Sequence, residues 1–192
     1  ADALGRIPLQ EAIRKGDIEM VRVMLDLKAN IFAVDEAERT ALHVAVETGQ
    51  REIAQLILER GVLIDAVSER SDTALYLAVR LGRTEIAKDL IARGANVAIR
   101  DNANENILHQ AAVLGNRELV DEALSHGIEI DTPGRTFRTA LFYAAESGAQ
   151  YALGQLFPLN AGAATCSAPY PTVTMTATGL DGCTAVINCS SN

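Results

Sequence analysis

Thr40-Ala-Leu-His-Val-Ala-Val-Glu-Thr-Gly49 opens on a helix-capping residue type, runs through small and apolar side chains, and stops at a glycine. That order predicts one short helix of two turns or a little more. A threonine oxygen takes up an amide that a helix start leaves unpaired, and glycine adopts the left-handed turn that ends a helix. A second helix is expected over residues 51–60, where Ile53, Ala54, Leu56, Ile57 and Leu58 make a broad apolar stripe before Gly61. Residues 62–72 then offer too little chain for another helix and suit an extended, turning finger.

The unit recurs along the chain. Gly16, Gly49, Gly82, Gly115 and Gly148 stand 33 residues apart, as do Leu9, Leu42, Leu75, Leu108 and Leu141, and Ala12, Ala45, Ala78, Ala111 and Ala144. Three columns hold register over five cycles. Gly61, Gly94 and Gly127 share a further column with Asn160, a residue type that also tolerates a left-handed cap, while Lys28 breaks it in the first cycle. Neither helix of such a pair can bury its apolar face alone, so stability has to come from stacking neighbour on neighbour.

Ile7-Pro-Leu-Gln10, Thr40-Ala-Leu-His43, Thr73-Ala-Leu-Tyr76, Asn106-Ile-Leu-His109 and Thr139-Ala-Leu-Phe142, with Gly-Val-Leu-Ile-Asp65, Gly-Ala-Asn-Val97 and Gly-Ile-Glu-Ile-Asp131, resemble the ankyrin repeat family. The resemblance covers about residues 2–162. It implies an all-α repeat solenoid of helix-turn-helix units and finger loops, with repeats over about 2–34, 35–67, 68–100, 101–133 and 134–162. The last is degenerate, with Tyr151 where the others carry Glu19, Glu52, Glu85 and Glu118, and with Pro158 expected to close its second helix.

The resemblance further implies that partners are gripped on a concave surface of finger tips and first-helix ends. In this chain those positions are Arg6, Arg14 and Lys15; Glu36, Arg39, Glu47 and Thr48; Glu69, Arg70, Asp72, Arg80 and Leu81; Asn102, Glu105, Val113 and Leu114; and Arg135, Phe137, Arg138 and Glu146. Both signs of charge are interspersed there, which suits a protein or peptide better than a polyanion. Leu81, Val113, Leu114 and Phe137 are candidate apolar anchors, or they cover repeat boundaries.

Composition narrows the alternatives. Formal net charge is −8, from 17 Lys and Arg against 25 Asp and Glu, so nucleic acid is not the expected partner. No stretch has the sustained apolar character of a membrane span, and no signal peptide is recognisable. No phosphate loop, nucleophile elbow or dinucleotide fingerprint is present, and no cofactor is expected. His43 and His109 lie 66 residues apart, which is not metal-ligand spacing. Each is assigned instead a hydrogen bond to the neighbouring finger backbone, and His126 an interaction with a helix C-terminus.

Residues 163–192 leave these columns and carry one charge, Asp181. Thr172-Val-Thr-Met-Thr-Ala-Thr178 alternates with period two, and Cys183-Thr-Ala-Val-Ile-Asn-Cys189 follows, which is a hairpin pattern. Strand parity favours a Leu-Asp-Gly loop that sets Val173 opposite Cys189, Met175 opposite Ile187 and Ala177 opposite Ala185, gathering the apolar residues on one face. Six residues of strand separate Cys183 from Cys189 by about 20 Å, beyond disulfide reach. Cys166 then bridges at most one of them, so a disulfide or a reactive thiol is open at Cys166, Cys183 and Cys189. Asn188-Cys189-Ser190 fits a glycosylation acceptor, a pattern with meaning only in a secretory compartment. A lone hairpin is marginal in water, so residues 172–189 are expected to dock or self-associate.

These readings lead to a non-catalytic scaffold that binds a protein or peptide, in an intracellular (cytoplasmic or nuclear) setting, with a secreted or host-delivered one left open. The alternative is a targeting or regulatory arm of a larger enzyme or toxin, which the start at Ala1 rather than Met motivates.

Overall fold

The computed structural model describes residues 7–134, 138–146, 174–178 and 184–188. Its elements in chain order are α1 (Pro8–Lys15), α2 (Ile18–Asp26), α3 (Ala41–Thr48), α4 (Arg51–Glu59), α5 (Ala74–Arg80), α6 (Thr84–Ala92), α7 (Ile107–Leu114), α8 (Arg117–Ser125), α9 (Ala140–Glu146), β1 (Thr174–Thr178) and β2 (Thr184–Asn188).

Local chemistry explains where the helices start. Thr40, Thr73 and Asn106 sit in extended backbone, and their side-chain oxygens accept from the amides of His43, Tyr76 and Leu108. Each cap is worth about 1 kcal/mol against alanine. The first cycle solves the problem differently, with Pro8 at the start of α1, where a missing amide costs nothing. Gly49 ends α3 at φ 74°. Lys28 breaks the later glycine column in sequence but not in conformation: its φ is 63°, so a lysine carries the left-handed turn there.

The helices form two layers. The first helix of each cycle packs on the next, α1 on α3, α3 on α5, α5 on α7 and α7 on α9, while α2, α4, α6 and α8 stack alongside and each pair is closed by its own turn. The leucine column is buried at Leu9, Leu42, Leu75 and Leu108, and the alanine column at Ala12, Ala45, Ala78, Ala111 and Ala144. The second helices contribute Ile53, Ile57, Ile86, Leu90, Leu119 and Val120 to the same core.

The loops between cycles turn back on themselves as fingers. The Asp35 amide donates to the Arg39 carbonyl, Ser68 to Asp72, Asp101 to Glu105 and Gly134 to Arg138, all within 3.1 Å. Glu38, Ser71 and Asn104 sit at the tips of the first three with φ of 57°, 60° and 62°. Among the described residues one backbone bond crosses between fingers, from the Glu69 amide to the Ala37 carbonyl at 3.0 Å.

In the tail, β1 and β2 pair antiparallel with Met175 opposite Ile187, Ala177 opposite Ala185 and Thr178 opposite Thr184. That is the register expected from strand parity. The second helix of the fifth cycle, Gly148, Pro158, Asn160, Arg6, Arg135, Phe137, the Val173–Cys189 pairing and all three cysteines fall outside the described residues. Among the described residues no helix is long and apolar enough to cross a membrane.

Candidate functional site

The surface that the sequence singles out comprises the finger tips and the C-terminal ends of α3, α5 and α7, and one buried column ties these two parts together. Gln10, His43 and His109 occupy that column and are buried. Gln10 Nε2 donates to the Arg39 carbonyl at 2.8 Å, His43 Nε2 to the Asp72 carbonyl at 3.0 Å and His109 Nε2 to the Thr132 carbonyl at 3.0 Å. Each first helix thus anchors the finger that follows it. The remaining nitrogen of His43, Nδ1, lies 2.8 Å from Thr40 Oγ1 and accepts from the Thr40 amide at 3.3 Å, so the neutral ring serves both ends. Burial pushes the pKa of His43 below that of a free imidazole, and His109 moves the same way for the same reason. His126 is exposed and bonds the Glu122 carbonyl through Nδ1 at 2.9 Å, the helix-end role assigned to it.

Between the second and third fingers lies a polar cleft of about 570 Å³, lined by Arg70, Asp72, Arg80, Asp101, Asn102, Ala103 and Asn104. Its floor is an internal network. Arg80 Nη1 pairs with Asp72 Oδ2 at 2.9 Å, its guanidinium lies 6.0 Å from the Tyr76 ring centre, and Tyr76 Oη donates to Asp101 Oδ2 at 2.8 Å. Burial raises the Asp72 pKa, with Arg80 pulling the other way. Burial and the bond to Asp101 push the Tyr76 phenol far above its usual range.

Two residues expected at the surface are therefore interior. Asp72 is only 5% exposed and Glu105 only 9%. Glu105 accepts from Tyr143 Oη at 2.6 Å and from Gln110 Nε2 at 3.1 Å, which ties the third finger to α7 and α9. Finger positions just before the cap face the next helix, so their carboxylates are spent on holding the array.

The others lie nearer solvent. Arg39 is committed to Asp35 at 2.8 Å and Glu47 at 2.8 Å, and Arg14 to Glu11 at 2.7 Å and Asp35 at 3.2 Å. Burial works against the Asp35 carboxylate, but bonds from the Arg39 side chain and backbone hold its pKa below the ordinary value. Lys15, Glu36, Glu69, Arg70 and Asn102 are exposed, and so is Thr48. At the ends of α5 and α7, Leu81, Val113 and Leu114 are 42%, 37% and 46% exposed. Arg138 stacks over the Phe142 ring at 4.3 Å.

Sequence reading overlooked a second set. Phe32, Val34, Leu63 and Val67 are exposed apolar side chains around a groove of about 280 Å³ between the first two fingers. In one dimension they merge with the apolar stretches that follow α2 and α4, and only comparison down the repeat columns separates them. Among the described residues no cluster of three or more His, Cys, Asp or Glu is arranged to hold a metal ion.

Comparison with curated proteins finds no match. A family model described as "Ankyrin repeats (3 copies)" matches residues 1–68 and 75–165. Members of that family are generally protein–protein interaction modules and typically not catalytic. With helix pairs, caps, fingers and stacked columns all in place, the chain belongs to the ankyrin repeat family.

Proposed function

We infer that this protein is a non-catalytic scaffold that holds a partner protein or peptide against the finger tips and first-helix ends, on the concave side of a five-cycle array spanning residues 1–162. The observation that carries this reading is the exposure of Leu81, Val113 and Leu114, three apolar side chains at the ends of the packed helices α5 and α7, with the cleft of Arg70, Arg80 and Asn102 lying between the adjoining fingers. An apolar centre with a charged rim is the arrangement in which buried anchors supply affinity and rim charges set orientation. Thr48 holds the same column as Leu81 and Leu114 in the second cycle, so the fold itself does not demand leucine there.

Charge reversal at Arg80 is a poor probe, because a glutamate beside Asp72 would place two carboxylates together in a buried spot. The cleaner test exchanges Leu81→Thr and Leu114→Thr in the full chain, with Arg70→Glu as a separate arm. Capture of binding proteins on immobilised chain, wild type beside variants, should fall at least tenfold for the double exchange with the melting temperature unchanged. Equal capture by all three would overturn the assignment.

Residues 163–192 form, in this reading, a separate extension in which 172–189 pairs with another chain. The support is the antiparallel β1–β2 pair, since a two-stranded unit offers two backbone edges. Deleting 163–192 should lower the number of chains per particle seen by light scattering; the same number with and without the segment would refute the self-association.

A further inference from the structure

The apolar groove between the first two fingers lies outside the residues that carry the proposed scaffold reading, although Glu36 and Glu69 at its finger tips belong to both surfaces. Its walls are Phe32 and Val34 from the loop after α2, and Leu63 and Val67 from the loop after α4. Phe32 is 56% exposed and Leu63 is 69% exposed, so neither is serving the core. Soluble chains scatter single apolar residues over their surfaces, but a cluster lining one concavity marks an interaction site.

The repeat supplies an internal control. Down the column of Leu63 stand Asn30, Asn96 and Glu129; down that of Phe32 stand Asp65, Ala98 and Asp131; and the two valines give way to Arg100 and Pro133. These positions carry the same backbone role in every cycle, and the later cycles fill them with polar or small residues. Folding therefore does not require the apolar character of the first two, and something else has to account for it.

The charge around the groove says what fits. Glu38 lines it, and Glu36 and Glu69 stand on the same two finger tips. All three are exposed and none forms an ion pair with a described residue, whereas the nearby Arg39 is already committed to Asp35 and Glu47 and Arg70 lines the cleft between the second and third fingers instead. The corresponding positions on the third finger are the neutral Asn102 and Asn104. An acidic rim over an apolar floor attracts a ligand of opposite charge and like apolarity. A groove of about 280 Å³ has room for one or two side chains of a longer ligand. The chain's own C-terminal segment does not supply the charge, because no Lys or Arg follows Arg138.

We propose that this groove is a second docking site, and that it takes a short basic-apolar peptide segment of another protein, with aliphatic side chains entering between Phe32, Val34, Leu63 and Val67 and adjacent Lys or Arg side chains meeting Glu36, Glu38 and Glu69. The probe is a fluorescein-labelled octapeptide of alternating leucine and lysine, read by anisotropy on the full chain. Leucine-glutamate and serine-lysine octapeptides serve as controls. The Leu-Lys peptide should bind at least tenfold tighter than either control and should shift the amide resonances of residues 32, 34, 63 and 67.

Leu63→Asn with Val67→Arg installs the residues that the third cycle carries at those positions, so the fold is retained while the groove loses its apolar wall. Binding should fall at least tenfold. Glu36→Gln with Glu38→Gln should weaken it most at low salt. Leu81→Thr with Leu114→Thr should leave it unchanged, which keeps this site separate from the concave one. Equal binding of the three peptides, or retention by Leu63→Asn/Val67→Arg, would overturn the proposal. So would loss on the Leu81/Leu114 exchange, or a dimer in sedimentation that the groove variant dissolves, since the groove would then be covered by a second copy.

Discussion

Replacing His43 by glutamine isolates what the buried histidine column does, because the first cycle already shows that glutamine can do part of it. Gln10 Nε2 reaches the Arg39 carbonyl at 2.8 Å, in the place where His43 Nε2 reaches the Asp72 carbonyl at 3.0 Å. The variant should keep the bond to the finger and lose the Nδ1 acceptor that Thr40 uses, at a cost of about 0.5–1.5 kcal/mol at pH 7.5. The pH dependence is the sharper signature. Burial lowers the folded-state pKa of His43 below that of the unfolded chain, about 6.5, against the opposing pull of Asp72 and Asp35 and with a smaller contribution from Arg39. The unfolded chain thus binds the proton more readily. The contribution is fully present above about pH 6.5 and is lost as pH falls toward the folded pKa, with a slope of at most about 1.4 kcal/mol per pH unit for one histidine. Urea unfolding of wild type and His43→Gln at pH 7.5, 6.5 and 5.5 reads this directly. The wild-type advantage should shrink below pH 6.5, while the carboxylates contribute equally to both proteins. A difference that stays constant from pH 7.5 to 5.5 would refute the assignment of a neutral, buried imidazole.

Three further outcomes follow from the same geometry. Leu90→Ala removes a fully buried side chain from the second-helix layer and should cost about 2–5 kcal/mol in urea unfolding; less than about 1 kcal/mol would mean that the layer is not packed as described. Thr73→Ala deletes the oxygen that accepts from the Tyr76 amide at 3.1 Å and should cost about 1 kcal/mol, measured the same way. Glu38→Gly relieves a non-glycine residue at φ 57° and should stabilise by about 0.5–1 kcal/mol, whereas Asn104→Gly should gain nothing. Asparagine tolerates that conformation, and Asn104 also donates to the Pro133 carbonyl at 3.0 Å; equal gains at both positions would contradict the explanation.

The helices were legible because cap, stripe and terminating glycine agree within each cycle, and because three columns repeat without a slip. The histidine bonds to the fingers were legible for the same reason: a residue that recurs at a helix start next to a finger has one backbone group within reach. Burial of Asp72 and Glu105 was not, since a carboxylate near a finger tip looks solvated until the following helices bring Arg80, Gln110 and Tyr143 against it. The left-handed turn at Lys28 was hidden because chain closure, rather than residue preference, fixes it. The groove around Phe32 and Leu63 escaped notice because hydrophobic pattern alone does not distinguish a side chain that turns into the core from its neighbour that turns out.

Hydrogen exchange on the chain with its captured partner bound reads out whether the finger tips and first-helix ends hold that partner. Protection should rise at the finger tips, around residues 69–71 and 102–104, and at the ends of α5 and α7, around 80–81 and 113–114. Protection confined to α2, α4, α6 and α8, with those segments unchanged, would contradict that placement of the partner.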